Sequence, residues 1–394
     1  MGGSADLSLI GGTVYVSPTE EALRDGVVRL TGGVIASVGS RTSVAALSAG
    51  TRIDCAGRTA MAGFWNSHVH FFERKWADAA AIPATELTSQ LQDMLTRFGF
   101  TSVFDLSSLW ENTRVLRDRI ESGEVRGPRI RSTGEGLVPP GAVPPDVAGN
   151  LMGVMKTPMP EVTDAAQASA AARKLLAAGV DGIKLFASAP RGMALDASVF
   201  RAAVNEAHEC GKPVFVHPNN ANDISAAVEG GVDIIAHTTP HSGAWHHDLL
   251  TRMRERDVAL TPTLTLWKYY ARHDRVSAQQ KVVETCTGQL RAWLERGGRV
   301  LFGNDLGAVE YDPAEEYRLM QEAGMDFRQI LEALTTAPAQ QFGDVQHAGR
   351  IAPGYDADLV ILNGDPARDI GALTEVEMTI RGGKIIYTRE TPSR

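Results

Sequence analysis

The sequence contains few cysteines, and they are not arranged in pairs. Its 394 residues include only three, Cys55, Cys210 and Cys286, and no Cys-x-x-Cys spacing occurs among them. A disulfide framework or a cysteine-rich zinc module needs several closely spaced cysteines, so the sequence argues against both. We expect buried thiols in a protein of a reducing compartment.

Long apolar runs and long blocks of like charge are also absent. No apolar run approaches about 20 residues, which argues against a transmembrane helix. The segment MGGSADLSLIGG has no basic region followed by an apolar one, so we expect no signal peptide and a cytoplasmic location. The formal net charge of −8 argues against nucleic acid and anionic membranes as partners. The expected partner is a small-molecule substrate.

Both ends of the chain carry the pattern of short antiparallel strands. Apolar and polar residues alternate around turns, several of them Gly-Gly, in LSLIGGTVYV, DGVVRLTGGVIASVGS, ADLVILNG and VEMTIRGGKIIYTRE. Neither end has enough strands for a stable sheet by itself. We therefore predict one small β-sandwich domain built from residues 1–60 and 349–394.

Residues 61–348 alternate short apolar runs with amphipathic helical stretches. The runs are MAGFWNSHVH, FTSVFDL, RIRSTG, DGIKLFA, PVFVH, VDIIAH, VALTPTL and RVLFGND. Strands that alternate with helices indicate a parallel α/β fold, and eight such strands close a (β/α)8 TIM barrel, which we predict as the catalytic domain. The long Pro-rich loop 136–161 is either a lid over the site or a surface excursion.

Ionisable side chains lie at or near the C-terminal ends of five of these runs. They are His68, His70, Lys184, His217, His237 and Asp305. Because the C-terminal ends of barrel strands meet on one face, these side chains should lie together. His68 and His70 are two residues apart on a strand and point to the same side, which suits metal binding by imidazole. The spacing therefore predicts a metal centre.

Lys184 is unusual because it lies inside an apolar run, DGIKLFA, where an ammonium group is costly to bury. Three interpretations are open: a salt-bridged structural lysine, a Schiff-base nucleophile activated by burial, or a lysine carbamylated by carbon dioxide. The carbamate fits the surrounding histidines better, since its anion can bridge two metal ions and a protonated amine would repel them.

With these residues the chain resembles the amidohydrolase superfamily over nearly its whole length. The matching segments are NSHVH at 66–70, GIKLF around Lys184, VFVH, IIAH and GND. Within the superfamily, KPVFVHPNN and AHTTP are similar to the branch with prolidase-like and imidazolonepropionase-like enzymes. The chain departs from the family pattern at Asn66, where Asp is common, and at Asn304, where Thr is usual. Neither departure falls on a predicted metal ligand.

The resemblance implies a centre of two divalent ions, with zinc the best-suited metal. Asp305, with His68 and His70, would bind the more buried ion. His217 and His237 would bind the more exposed one, and carbamylated (N6-carboxylated) Lys184 would bridge the two. The resemblance also favours a homo-oligomer, as symmetric assemblies are common.

The expected activity is hydrolysis of an amide-type C–N bond by a metal-bridging hydroxide. Asp305 would accept the hydroxide proton and pass it to the leaving amine. His237 is expected to take part in catalysis beside its metal. His241, on the loop after His237, would contact the substrate or the oxyanion.

Aromatic residues in the predicted rim loops favour a substrate with an apolar or aromatic group. They are Phe71, Phe72, Trp76, Trp267, Tyr269, Tyr270 and Tyr311. Basic residues nearby would pair with a substrate carboxylate. They are Arg74, Lys75, Lys268 and Arg272. An N-acyl amino acid, a dipeptide or an aryl amide fits this rim.

Three other functions stay open at this point. A deaminase or cyclic-amide hydrolase would use the same barrel with one or two metals. A lyase or isomerase would use Lys184 without hydrolysis. A scaffold without catalysis is disfavoured because all six predicted ligands are present.

Overall fold

The two ends of the chain combine in one mixed sheet. The computed structural model describes residues 6–44, 50–142, 159–189 and 192–389. The strands of this sheet are β1 (Leu7–Tyr15), β2 (Leu23–Thr31), β3 (Val34–Ser40), β4 (Thr51–Asp54), β5 (Arg58–Ala62), β14 (Leu359–Asn363), β15 (Val376–Arg381) and β16 (Lys384–Thr388). Their order is β16-β15-β14-β5-β1-β2-β3, and β4 also pairs with β1.

Strands β5 and β14 join the two ends of the chain. They pair antiparallel, with Ile361 opposite Ala60. Alternate residues of the sheet, such as Leu9, Val28 and Ile361, pack in an apolar core separate from the main one. The predicted association of the two ends is therefore present, and the division into a two-layered sandwich stays a prediction.

Between the two ends lie parallel strands in two sheets. The first sheet contains β6 (Phe64–Val69), β7 (Phe100–Asp105) and β8 (Arg129–Ser132). The second contains β9 (Ile183–Phe186), β10 (Val214–His217), β11 (Ile234–Ala236), β12 (Ala259–Thr261) and β13 (Arg299–Val300), paired in that order. Parallel strands connected through helices confirm the predicted α/β class.

Backbone hydrogen bonds connect the edges of these two sheets on both sides. Ser67 N in β6 donates to Phe302 O, just after β13, at 2.7 Å. On the other side, Leu137 N, in the segment after β8, donates to Lys184 O in β9 at 2.8 Å. A small apolar cluster takes residues from strands of both sheets, among them Trp65, Phe104, Phe215, Ile234 and Ala259. The two sheets therefore share one buried interior.

Helices follow most of the parallel strands. In the described residues they are Ala84–Met94, Trp110–Glu121, Ala165–Ala178, Ala197–Glu209, Ala221–Gly230, His247–Glu255, Leu264–Tyr270, Val276–Leu294, Ala314–Glu322, Phe327–Leu334 and Thr336–Gln341. Several begin at a side-chain cap: Asp196 accepts from the Ser198 and Val199 amides, and Asp326 forms a capping box with Gln329. Their apolar faces pack in the main core. No helix in the described ranges is both long and apolar enough to span a bilayer.

Candidate metal centre

The ends of the parallel strands place all six predicted ligands around one cavity. His68 lies in β6, Lys184 in β9 and His217 at the end of β10, while His237 directly follows β11. Asp305 lies in the loop after β13. The cavity is lined by His68, His70, Phe72, Ser107, Met159, Lys184, Phe186, His217, His237, Leu266, Tyr270, Asp305 and Ala308. The structure thus brings together every residue that the sequence placed in the metal centre.

Three possible ligand atoms converge at the His70 end of the cavity. His70 Nδ1 contacts the Leu106 carbonyl oxygen, which can only accept, so we assign a proton to Nδ1. His70 Nε2 lies 2.6 Å from Asp305 Oδ1. His68 Nε2 lies 3.2 Å from the same oxygen without forming a hydrogen bond. Such an arrangement is favourable only with a shared cation, either a proton or a metal ion.

His237 and His217 continue the cluster away from Asp305. The His237 ring centroid lies 4.7 Å from that of His68 and 4.5 Å from that of His217. On its other edge, His237 Nδ1 lies 2.6 Å from Thr263 Oγ1. His217 packs against the Phe186 ring at 5.0 Å. The four imidazoles therefore form one continuous set.

Lys184 is buried with only 1% of its surface exposed, and its Nζ has no hydrogen-bond partner. The Nζ lies 5.6 Å from the centre of the Phe186 ring. Burial lowers the pKa of Lys184 from 10.5 to about 7, against the opposing attraction of Asp305. A substantial fraction of the metal-free protein therefore has a neutral amine here at neutral pH, which is the form that reacts with carbon dioxide.

Three of the histidines, His68, His217 and His237, are held in the neutral form that binds metals. Burial, with the positive charge of Lys184, lowers the pKa of His217 to about 3, and burial also lowers that of His68 to about 3. Burial lowers the pKa of His237 well below its usual value, helped by its histidine neighbours. Burial alone would raise the pKa of Asp305, but His68 and His70 hold it well below its usual value. These three neutral imidazoles therefore lie in one cluster with the Asp305 carboxylate.

These features fit a divalent metal. One ligand atom each of His68, His70 and Asp305 lies within 4.8 Å of the others. Both ring nitrogens of His68 and the Lys184 Nζ are buried without a hydrogen-bond partner, and polar atoms left unpaired in this way are costly unless something else satisfies them. Neutral imidazoles with a carboxylate are a donor set that suits zinc and its neighbours.

The two positions that depart from the family pattern contact each other. Asn66 Nδ2 donates to Asn304 Oδ1 at 2.7 Å, and Asn66 Oδ1 accepts from the backbone amide of His68 at 3.1 Å. Both side chains are fully buried. The amide pair therefore ties the strand that carries His68 to the residue that precedes Asp305.

Sequence reasoning missed Ser107 and Thr263, which lie at the centre. Ser107 lines the cavity, and its buried Oγ has no hydrogen-bond partner. Both residues have positive φ, 66° for Ser107 and 45° for Thr263, a conformation that is strained for side chains other than Gly, Asn and Asp. Such conformations concentrate at functional sites, but they follow no sequence pattern that would have identified these residues.

The structure places His241 apart from the cavity lining. It is exposed on the turn Pro240–Ser242, with its ring 5.9 Å from that of Trp267. Its catalytic role stays a prediction. Of the predicted aromatic rim, Phe72 and Tyr270 line the cavity, whereas Phe71 and Trp76 are buried in the main core.

The predicted basic rim residues are engaged by neighbouring groups or exposed. Lys75 Nζ donates to Tyr311 Oη and lies 3.5 Å from Glu73 Oε2. Lys268 pairs with Glu315, and Arg272 donates to the Tyr269 carbonyl oxygen. Arg74 is exposed. None of these four lines the cavity among the described residues, and loop residues 143–158 of the predicted lid lie outside those residues.

Solved structures of known proteins share the fold of this chain. A solved Xaa-Pro dipeptidase superposes with a TM-score of 0.83 at 22% identity, over 98% of this chain and 100% of that one. A solved prolidase is 26% identical, with a TM-score of 0.78 over 98% of this chain and 100% of that one.

An uncharacterized protein from Mycobacterium tuberculosis strain H37Rv is 26% identical over 200 residues, which is 47% of this chain and 51% of that protein. The chain therefore matches about half the length of this curated relative. The model of the amidohydrolase family matches residues 59–386, most of the chain. The chain thus belongs to the amidohydrolase family.

Proposed function

We propose that this protein is a two-metal hydrolase that cleaves an amide-type C–N bond in a small substrate with an apolar or aromatic group. The observation that carries the proposal is the convergence of four imidazoles, a carboxylate and an unpartnered buried lysine on one cavity. No structural role accounts for so many desolvated polar groups, because each unpaired one lowers stability.

The ligand assignment follows the contacts. His68, His70 and Asp305 would hold the more buried ion, since Asp305 Oδ1 lies within 3.2 Å of a nitrogen of each histidine. His217 and His237 would hold the other, supported by the 4.5 Å between their rings. We propose zinc in both positions.

Lys184, carboxylated on Nζ, would bridge the two ions. Its amine is buried beside the histidines and has no partner that would make a structural lysine stable there. Carboxylation joins the neutral amine nitrogen to the carbon of carbon dioxide, and the amine loses one proton. The resulting anion would replace a positive charge that repels metals by a negative one that binds them.

The residues of the chain divide the chemical work. Bound divalent ions supply Lewis acidity and lower the pKa of water toward neutrality. Asp305 accepts the proton of the attacking water on a carboxylate oxygen and delivers it to the leaving nitrogen. Phe72, Phe186 and Leu266 line the cavity, hold the apolar part of the substrate and exclude bulk water.

We further propose that the two parallel sheets form one closed (β/α)8 barrel, residues 61–348, and that residues 1–60 and 349–394 form a β-sandwich domain. The Ser67–Phe302 and Leu137–Lys184 backbone hydrogen bonds, one on each side, support closure. The shared apolar cluster supports it as well. A cytoplasmic location and a homo-oligomer are part of the same proposal, and rest on the sequence alone.

Substrate tests begin with dipeptides that end in proline. The solved prolidase at 26% identity was complexed with N-methylphosphonate-L-proline, which supports an Xaa-Pro dipeptide as the first substrate to test. N-acyl amino acids and aryl amides complete the panel because apolar and aromatic side chains, among them Phe72, Phe186 and Leu266, line the cavity beside the predicted ligands.

The deciding experiment measures metal per chain by elemental analysis in wild type and in Lys184→Ala, each purified with zinc and bicarbonate. We expect two metals in wild type, a marked loss in the variant, and amide hydrolysis only by the wild type. Asp305→Asn should retain the fold but lose turnover. One metal in both proteins would instead favour a mononuclear deaminase, and no metal in wild type would overturn the proposal.

A further inference from the structure

A series of contacts connects His237 with the buried carboxylate of Glu316, which lies in the helix Ala314–Glu322. His237 Nδ1 lies 2.6 Å from Thr263 Oγ1. Thr263 Oγ1 donates to the Pro262 carbonyl oxygen at 2.9 Å. The next two residues, Leu264 and Thr265, donate their backbone amides to Glu316.

The Thr263 hydroxyl fixes which nitrogen of His237 carries the proton. A hydroxyl has one hydrogen, and Thr263 donates it to the Pro262 carbonyl oxygen, so it can only accept from His237. We therefore assign the proton of the neutral His237 ring to Nδ1. Its Nε2 is left with a free lone pair, which is the form that a metal requires.

Glu316 holds the backbone turn that presents this hydroxyl. Thr263 has a φ of 45°. This conformation costs a β-branched residue energy, and it persists only where the surrounding structure imposes it. Glu316 is 0% exposed, and its Oε1 accepts from the Leu264 amide at 2.8 Å. Its Oε2 accepts both the amide and the hydroxyl of Thr265 at 2.7 Å. The carboxylate thus clamps the first turn of the helix Leu264–Tyr270, directly after Thr263.

We propose that Thr263 and Glu316 are positioning residues of the metal centre, which set the tautomer and orientation of His237. Neither belongs to the predicted ligand set, and Glu316 reaches His237 only through the Thr263 turn. The inference rests on the proposed role of His237 as a metal ligand, so its test includes a variant of His237 itself.

The test uses Thr263→Val, which keeps the shape of the side chain and removes the hydroxyl, and Thr263→Ser, which restores the hydroxyl. In Glu316→Gln, either orientation of the amide places an NH2 group against one of the two backbone amides. Thr379→Val is the matched control, since Thr379 in β15 is equally buried and donates to the Thr96 carbonyl oxygen at 2.6 Å, in the turn Thr96–Phe98.

The measurement is zinc per chain at a series of buffered free zinc concentrations, with thermal unfolding and kcat and KM alongside. Thr263→Val and Glu316→Gln should bind zinc about 10- to 100-fold more weakly and lose kcat with less change in KM. Thr263→Ser and Thr379→Val should bind zinc like wild type. If Thr263→Val fails to fold, the zinc affinity of Glu316→Gln is compared with that of Thr263→Ser instead.

Two outcomes overturn the inference in different ways. If His237→Ala loses zinc while Thr263→Val and Glu316→Gln bind it like wild type, the positioning role is wrong and the metal centre stands. If His237→Ala itself binds zinc like wild type, the ligand assignment fails and the inference fails with it. An equal loss in Thr379→Val would show a general effect of removing a buried hydroxyl, which also overturns the inference.

Discussion

Replacement of Lys184 by methionine should stabilise the metal-free protein and destabilise the metal-loaded one. Methionine has a similar length and no charge, and it fills irregular buried space well. The lysine amine is buried with no hydrogen-bond partner, so in the absence of metal and carbon dioxide it only lowers stability. A side chain retained for packing would give the opposite result.

The size of the effect follows from the pKa of Lys184, which burial lowers from 10.5 to about 7. The unfolded chain therefore holds a proton that the folded chain releases between these values, so the stability of the wild type rises with pH across that window. At about 1.4 kcal/mol for each pH unit, the lysine lowers stability by about 4 kcal/mol at pH 7 and about 2 kcal/mol at pH 9.

The assay is urea unfolding of both chelator-treated proteins in buffer free of carbon dioxide, at pH 7 and pH 9. Lys184→Met should be the more stable variant, by a margin that shrinks by about 2 kcal/mol between the two pH values. Lys268→Met is the control, because Lys268 is exposed and its ion pair with Glu315 contributes little.

Metal binding should make the wild type more stable than Lys184→Met. With zinc at about 100 times its dissociation constant and bicarbonate present, binding adds about 2.7 kcal/mol to the wild type for each site, and the variant lacks the bridging ligand. Two results would refute this prediction. One is a metal-free Lys184→Met protein that is no more stable than the wild type at pH 7. The other is a difference in free energy of unfolding between the two proteins that does not change with pH.

Three further predictions concern other parts of the molecule. Asn66→Leu should lower the free energy of unfolding in urea by about 1–3 kcal/mol because it leaves the Asn304 amide unpaired. Asn66→Asp should lower it by less, since Asn304 can turn its NH2 toward the new carboxylate. Equal losses in the two variants would contradict this prediction. Only Cys210 should react quickly with a thiol reagent at pH 8, because it is exposed. Burial raises the pKa of Cys55 to about 11 and that of Cys286 to about 12, so these two thiols should react slowly. Fast reaction of all three thiols in the folded protein would contradict this prediction. Chelation should lower the Tm, and zinc should restore it; a Tm that does not respond would count against a bound metal.

The sequence predicted which ionisable residues line the cavity because parallel strands repeat a simple geometry; their role as metal ligands stays a prediction. His217 and His237 each close a short apolar run, and in a parallel sheet the ends of such runs meet at one edge. Lys184 was identified because an amine is costly to bury inside an apolar strand. The family membership drawn from these residues is confirmed, and so is the α/β class.

The supporting residues were not readable, for physical reasons. Glu316 contacts Leu264 and Thr265 some fifty residues away, and a Glu in the first turn of a helix looks like an ordinary favourable charge. Asn66 was noticed as a departure from the family pattern, but its hydrogen bond to Asn304 spans 238 positions. Contacts of this kind depend on the three-dimensional fold and leave no local pattern.

The distribution of backbone strain supports a functional role for this region independently of its ligands. In the described part of the chain, seven non-glycine residues have positive φ, and four of these are aspartates, which tolerate that conformation. The remaining three, Ser107, His237 and Thr263, all lie at the metal centre. Such a conformation costs about 1–3 kcal/mol and persists only where the surrounding structure imposes it. Ser107 and His237 line the cavity and Thr263 contacts His237, so the strain supports the placement of groups at this one site.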